Sequence, residues 1–340
     1  KGEEYRAQGF NICQVKRPER KGFKAGALQH GLKSAKGKYI AIFDADFVPQ
    51  PDFLKKTLPH FSNENIGLVQ TRWEHLNKNY SLLTRLQAFA LDLHFTVEQK
   101  GRNASGFFMN FNGTAGVWKR DCIDDAGGWK ADTLTEDLDL SYRAQLKGWK
   151  FTYLENVTSP AELPVEMNAL KSQQFRWNKG GAETARKLMP SIISSKLPFK
   201  IKLHACAHLF NSTVYIFILL SAILSVPLLP IKNEYLSFDF YKYASVFLLA
   251  TISITGVYFI SIRFNDAVKG NRFANYVFWF PMFLAISLGL SLHNAVAVLR
   301  GYIGQKTPFV RTPKFNITGL KGGWKTNKYI KGSFYGEKLL

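Results

Sequence analysis

Cysteine is scarce. The 340 residues include three, Cys13, Cys122 and Cys206, far apart and without the spacing of a zinc site or a disulfide framework. That excludes a stapled scaffold and gives no sign of an oxidising compartment, so a cytosolic face is expected for the part that carries chemistry. Acidic residues are also few, 25 Asp and Glu against 45 Lys and Arg, a formal net charge of +20. So large an excess calls for an anionic partner: nucleic acid, anionic lipid or a phosphorylated substrate. No zinc spacing or single-strand-binding aromatic motif accompanies the charge, so nucleic acid is not an expected partner. Internal repeats, low-complexity tracts and a signal peptide are lacking too. The chain opens on Lys1 within what reads as an ordered domain, and a segment before it is expected to be missing.

Three long runs, 203–231, 244–262 and 273–299, contain no Asp, Glu, Lys or Arg. Each is near or above the roughly 20 residues of a spanning helix. The pattern predicts a charged globular domain over 1–190, a membrane region over 191–340 with those three apolar segments, and a basic tail over 300–340. A lipid bilayer is therefore an expected partner, with a multi-pass location in the cell (inner) membrane and the globular half cytosolic.

The first half alternates strand and helix signals, which predicts an α/β domain on a mainly parallel sheet. Residues 10–15 read as a strand and 24–34 as a helix. Tyr39 to Phe43 is an apolar run, the pattern of a central strand buried on both faces. Further strands are expected over 66–70, 114–118 and 151–154, and helices over 82–99 and 138–147. Residues 165–188 mix Met167, Leu170, Phe175 and Trp177 with five basic residues, which suits a helix lying at a membrane surface.

Asp44-Ala45-Asp46 falls where the 39–43 strand ends, and ligands of open α/β sheets bind at the carboxyl ends of strands. Downstream come Thr135-Glu136-Asp137 at a helix start, then Gln173-Gln174-Phe175-Arg176-Trp177 shortly before the first apolar run. Each is weak alone: an Asp pair can end a turn, a Thr followed by acids can cap a helix, and Trp with Arg can anchor at an interface. In that order, ending at a membrane segment, the set resembles the processive family 2 glycosyltransferases: cellulose synthase, the cellulose synthase-like mannan and glucan synthases, and chitin and hyaluronan synthases.

The resemblance implies a GT-A-like, Rossmann-like catalytic domain followed by membrane helices. It also implies an inverting enzyme that polymerises a β-linked glucan or mannan from a UDP- or GDP-hexose. The partners are then a nucleotide-sugar donor and the growing glycan acceptor, with secretion or accessory subunits left open. Asp44 and Asp46 offer hard oxygen ligands for Mg²⁺ or Mn²⁺ beside a diphosphate. Lys24, at a helix start where free N–H groups favour an anion, takes the family role of diphosphate contact, with Arg176 reaching phosphate. An acceptor hydroxyl must lose its proton as it attacks, and Asp137 takes that base role with Glu136 beside it. One carboxylate acting once implies inversion.

Phe111-Asn112-Gly113-Thr114 resembles the segment that shapes the acceptor end of the site, and a turn before a strand is the equal alternative. Trp73 and Asn77 are weaker candidates for the same side. Trp177 can stack on the CH face of a sugar, with Gln173 reaching acceptor hydroxyls. Residues 307–315 resemble a cytosolic gating segment, with Phe309, Thr312 and Lys314 over the donor site. The family's first nucleotide-binding strand and its acidic residue are expected before residue 1.

Two other readings share these features: a ceramide or diacylglycerol glycosyltransferase, and a non-catalytic scaffold of the same fold. Several membrane segments and a gating-like loop favour a polymerase, whose product needs a channel. Intact Asp44, Asp46, Asp137 and Trp177 weigh against a scaffold. A cytosolic basic tail requires an even number of crossings. The third apolar run, with Pro281, Gly289 and Asn294 as possible breaks, is therefore expected to be an interfacial or re-entrant helix.

Overall fold

The computed structural model describes residues 2–234, 248–265 and 270–318. Four strands form one sheet: β1 (Tyr39–Ile42), β2 (Ile66–His75), β3 (Gly116–Lys119) and β4 (Lys150–Ala161), in the order β1-β3-β2-β4. Only β2 and β4 are parallel; β3 runs antiparallel to both β1 and β2. The expected mainly parallel sheet is thus mixed. The reason is local: β1, β2 and β4 all end at one edge, whereas β3 starts there, just after the Asn112–Thr114 turn, and must run away from it.

Side-chain alternation along the strands feeds two cores. Leu68 and Trp118, fully buried, point to one face with Phe111, Ile123 and Leu140. Val69 and Val117 point to the other, with Phe53, Phe61 and Val157. Two strand expectations change. Residues 10–15 form no strand, and Phe10 and Val15 stay exposed because no sheet face meets them. Among the described residues β1 lies at the sheet edge and leaves Ala41 exposed, so its apolar run is not buried on both faces there.

The helix expected over 82–99 is built from three segments. Ser81 caps Leu82–Leu93 through a reciprocal box with Thr84. A π-helical stretch, His94–Gln99, follows, and then an α-turn, Lys100–Ala104. The Met167–Ser194 helix runs 28 residues. Its Ala185, Leu188 and Ile192 pack in a cluster with Tyr142, Ala205 and Leu209, so much of the apolar face assigned above to a membrane surface is covered by protein. Gly301 of the Ser291–Ile303 helix lets that helix settle against it: a Cβ there would come 2.6 Å from the Lys179 carbonyl oxygen and 2.7 Å from Ala182 Cβ.

No single described helix is long and apolar enough to cross a membrane. Two bent pairs are, by length and composition: Phe199–Leu209 with Asn211–Pro227, bent 47°, and Arg272–Gly289 with Ser291–Ile303, bent 52°. The second break falls at Leu290, beside Gly289 and within the third apolar run; Pro281 is accommodated inside a helix. Residues 244–247 of the second run and 319–340 of the tail lie outside the described residues.

Candidate active site

The strand edge that β1, β2 and β4 share opens onto a cavity of about 640 Å³. Asp44 and Asp46 reach it from the end of β1, and Trp73 and His75 from the end of β2. Asn112 and Gly113 line it ahead of β3, Glu162 just after β4. Glu136 and Asp137 open the Glu136–Leu146 helix beneath it, while Gln173, Arg176 and Trp177 descend from the Met167–Ser194 helix. Phe309, Thr312 and Lys314 close one side. Ligand-facing groups at the carboxyl edge of the strands are the usual arrangement of α/β folds.

The two aspartates each carry a lysine. Lys24 Nζ lies 2.6 Å from Asp44 Oδ1, and Lys314 Nζ lies 2.8 Å from Asp46 Oδ2. Lys24 stands in the first turn of the Phe23–Ser34 helix, which Gly22 enters in the left-handed region at φ 74°. Gly113, at φ 78°, leaves room for Asp137 and Lys24 on one side of the turn: a Cβ there would lie 3.0 Å from Asp137 Oδ2 and 3.5 Å from Lys24 Nζ. Only a residue without a side chain leaves that space open.

The Thr135 side chain does not cap the helix it precedes. Its hydroxyl meets Thr184 Oγ1 at 3.1 Å, and Gly180 leaves it room: a Cβ on Gly180 would sit 2.5 Å from Thr135 Cγ2. Glu183 also accepts the Leu134 N–H at 2.8 Å. The long helix therefore fixes the loop that presents the acids. Burial pushes both the Glu136 and the Asp137 carboxyl above the ordinary range, Glu136 further by its neighbour's charge; Lys24 opposes the shift in each. Asp137 Oδ1 accepts the Leu138 N–H at 2.8 Å, which leaves Oδ2 toward Gly113.

Two expected acceptor contacts sit elsewhere. Phe111 is fully buried, edge-on to Trp118 at 5.6 Å, and belongs to the core because its side chain points away from the cavity. Thr114 is buried too, and its hydroxyl accepts the Asp44 N–H at 2.9 Å. Both support the site from behind. Asn77 likewise exchanges hydrogen bonds with the Leu163 backbone, at 2.9 and 2.8 Å, and holds the chain past β4. Asn112 does face the cavity: His94 Nε2 and Asn110 Nδ2 meet its Oδ1 at 3.1 and 2.7 Å, while its Nδ2 has no partner. Arg176, expected at a phosphate, binds the Val310 carbonyl at 2.6 Å and the Thr312 hydroxyl at 2.8 Å, with Phe309 beneath it at 5.2 Å.

Sequence reasoning did not find Phe23, His75 or Glu162. Phe23 stacks on Phe309, centroids 5.1 Å apart. His75 is buried, and burial pushes its pKa down to about 4. Glu162 accepts backbone N–H groups of Phe315 and Asn316. No motif marks them, and the strand expected over 151–154 ends too early to bring Glu162 to its end, where the observed β4 places it.

A family model described as "Glycosyltransferase like family 2" matches residues 6–180. This chain belongs to that family. Glucomannan 4-beta-mannosyltransferase 1 of Oryza sativa subsp. japonica is 48% identical to this family 2 chain over 198 residues, 57% of the chain and 38% of the relative. Glucomannan 4-beta-mannosyltransferase 9 of Arabidopsis thaliana is 34% identical over 340 residues, 98% of the chain and 61% of the relative. The chain thus spans between about a third and three fifths of the curated relatives it matches. Among solved structures, the mannosyltransferase PcManGT from Pyrobaculum calidifontis in complex with GDP-Man and Mn²⁺ superposes with a TM-score of 0.54 at 18% identity. That match covers 89% of this chain and 73% of the other. The fold is that of a GT-A-like glycosyltransferase with a mixed sheet.

Among the described residues no cluster of three or more His, Cys, Asp or Glu could hold a metal by itself. The donor set that is present, two carboxylates one residue apart and each already balanced by an ammonium group, fits a hard divalent cation that takes its remaining ligands from a diphosphate and water.

Proposed function

We propose that this chain carries the catalytic domain and a portion of the membrane region of an inverting hexosyltransferase that lengthens a β-linked mannan or glucan from a GDP- or UDP-hexose. The observation that carries the reading is the gap at Gly113, which leaves the Asp137 carboxylate beside the Lys24–Asp44 pair. A base and a diphosphate site are thereby held at neighbouring positions of one cavity. GDP-mannose is the favoured donor, because the relatives carry the name glucomannan 4-beta-mannosyltransferase and the solved neighbour holds GDP-Man.

Asp44 and Asp46 would hold Mg²⁺ or Mn²⁺, whose charge offsets that of the departing diphosphate. Lys24 binds the same diphosphate at its helix start. The acceptor sugar stacks its CH face on Trp177, and its hydroxyl, oriented by Gln173 and Asn112, gives its proton to Asp137 as its oxygen bonds to the anomeric carbon. The carbon–oxygen bond to the diphosphate breaks on the opposite face, the nucleoside diphosphate leaves, and an α-linked donor becomes a β-linked product.

The segment after residue 198 supports a place at a membrane. Phe217, Leu220, Ile223, Leu224 and Val226 are exposed on the first bent pair, as are Phe273, Val277 and Phe278 on the second. The 52° break suits a third segment that enters and leaves one face, which keeps residues 304–318 with the cytosolic domain. Membranes containing the full-length protein, incubated with labelled GDP-mannose, GDP-glucose or UDP-glucose and Mn²⁺ or Mg²⁺, test the proposal. Long products cleaved by a β-mannanase or a β-glucanase are expected. A lipid bearing a single sugar, or no transfer from any donor, would overturn it.

A further inference from the structure

Residues 305–318 have neither helix nor strand, yet they are pinned along their length. Lys179, fully buried, donates to Thr307 Oγ1 at 2.7 Å, and Arg176 holds Val310 and Thr312. At the far end the pins converge on one residue. The Glu162 side chain, 5% exposed, accepts the Phe315 N–H at 3.0 and 3.2 Å and the Asn316 N–H at 3.0 Å, and its main-chain carbonyl accepts from Lys314 Nζ. Asn316 takes the left-handed conformation, φ 60°, that turns two successive N–H groups toward one carboxylate, and Ile317 is buried just beyond. The same Lys314 Nζ is the one 2.8 Å from Asp46 Oδ2.

We propose that Glu162 is the anchor of this segment, and that it delivers Lys314 to Asp46 as a resident counter-ion which a divalent cation must displace. The inference rests on the proposed cation site at Asp44 and Asp46. A carboxylate facing two aligned N–H groups and carrying a lysine on its own carbonyl is a built arrangement; charge-assisted hydrogen bonds of this kind are about twice as strong as neutral ones. It fixes the backbone at Phe315 and Asn316, next to Lys314, and holds the ammonium through the Glu162 carbonyl, so that a cation at Asp46 has one ion pair to displace. Lys314 carries one charge and an incoming cation carries two, so at saturation exchange favours the cation, with water as its remaining ligands when no diphosphate is bound. Glu162 then acts as a positioning residue: it keeps the covering segment in register whichever cation Asp46 holds.

The test uses full-length protein in nanodiscs without nucleotide sugar and reads Mn²⁺ binding by the loss of the free Mn²⁺ resonance, with hydrogen exchange followed over 312–316. In Lys314→Met the Mn²⁺ Kd is expected to fall about tenfold, a 1.4 kcal/mol change. Glu162→Gln should speed exchange of the Phe315 and Asn316 amides and lower the Mn²⁺ Kd in the same direction. For wild-type protein, a Mn²⁺ titration should alter exchange at 312–314 while the Phe315 and Asn316 amides stay protected. This last readout needs no variant to fold. A Kd in Lys314→Met within twofold of wild type, or wild-type exchange over 312–316 indifferent to saturating Mn²⁺, would overturn the proposal. Neither readout involves sugar transfer, so failure of the proposed polymerase reading would show separately.

Discussion

Asp137 joins a stability cost to the chemical use proposed for it. Burial pushes its carboxyl up to about 6, above the unfolded value of 3.8, so the native state holds the proton more tightly. Stability contributed by the protonated form is complete below pH 3.8 and is lost as pH rises to about 6, whereas a base must be unprotonated to act. Transfer should therefore climb through an acid limb ending near neutrality. Asp137→Asn should lose about 10²- to 10⁴-fold in kcat, leave nucleotide affinity nearly unchanged, and unfold at higher temperature at pH 7 by the equivalent of at least about 1 kcal/mol. Equal activity in the variant would reduce Asp137 to a helix-start acid. Gly113→Ala should do the reverse to binding: its methyl group, in a left-handed backbone and 3.0 Å from Asp137 Oδ2, should weaken donor and acceptor alike in isothermal titration. At this scale the sequence was most readable where a motif carries charge. Asp44, Asp46 and Asp137 all face the cavity, but nothing in Phe-Asn-Gly-Thr tells which of alternating side chains looks outward. Phe111 and Thr114 turned inward, and Asn112 and Gly113 did not.

Helices and strands carry the site by close approach rather than by contact area. Gly180 lets the Met167–Ser194 helix lie against Thr135, and Gly301 lets the Ser291–Ile303 helix lie against that same long helix at Lys179 and Ala182. Substitution at these two glycines should have different outcomes. Gly180→Val should push the acid-bearing loop and cut transfer with a modest drop in melting temperature. Gly301→Val should force its helix away from the long one, and overpacking of that kind costs about 1–3 kcal/mol, seen as a lower midpoint in thermal unfolding. The existence of several elements was legible from apolar spacing, including most of the Met167–Ser194 helix. Strand direction was not. Periodicity reports which face is buried, whereas the antiparallel course of β3 follows from where the chain has just been, at the Gly113 turn.

At the scale of the whole molecule, the described residues present two kinds of surface. The strand edge gathers ion pairs, and the helices after residue 198 show Phe217, Ile252 and Phe278 to their surroundings. If the third apolar run enters and leaves one face, a single cysteine at Lys306 in a cysteine-free background should resist an impermeant thiol reagent in intact cells and react after permeabilisation. Labelling in intact cells would make that run a crossing and overturn the proposed cytosolic place of residues 307–318. The two surfaces are coupled by one helix with a change of phase. Before its π-helical stretch, Phe89 stacks on Tyr258 and touches Phe283 in the apolar helices; after it, Lys100 pairs with Glu155 and Asn103 accepts the Tyr153 N–H on β4. One residue beyond α-helical count rotates everything downstream by about 100°. His94–Gln99 thus changes the phase between a face packed on the apolar helices and a face packed on the sheet, with His94 Nε2 3.1 Å from Asn112 Oδ1. Removing Val97 should restore an unbroken helix at unchanged circular dichroism, yet bring the wrong face to β4, so that the sheet and the apolar helices can no longer both be seated.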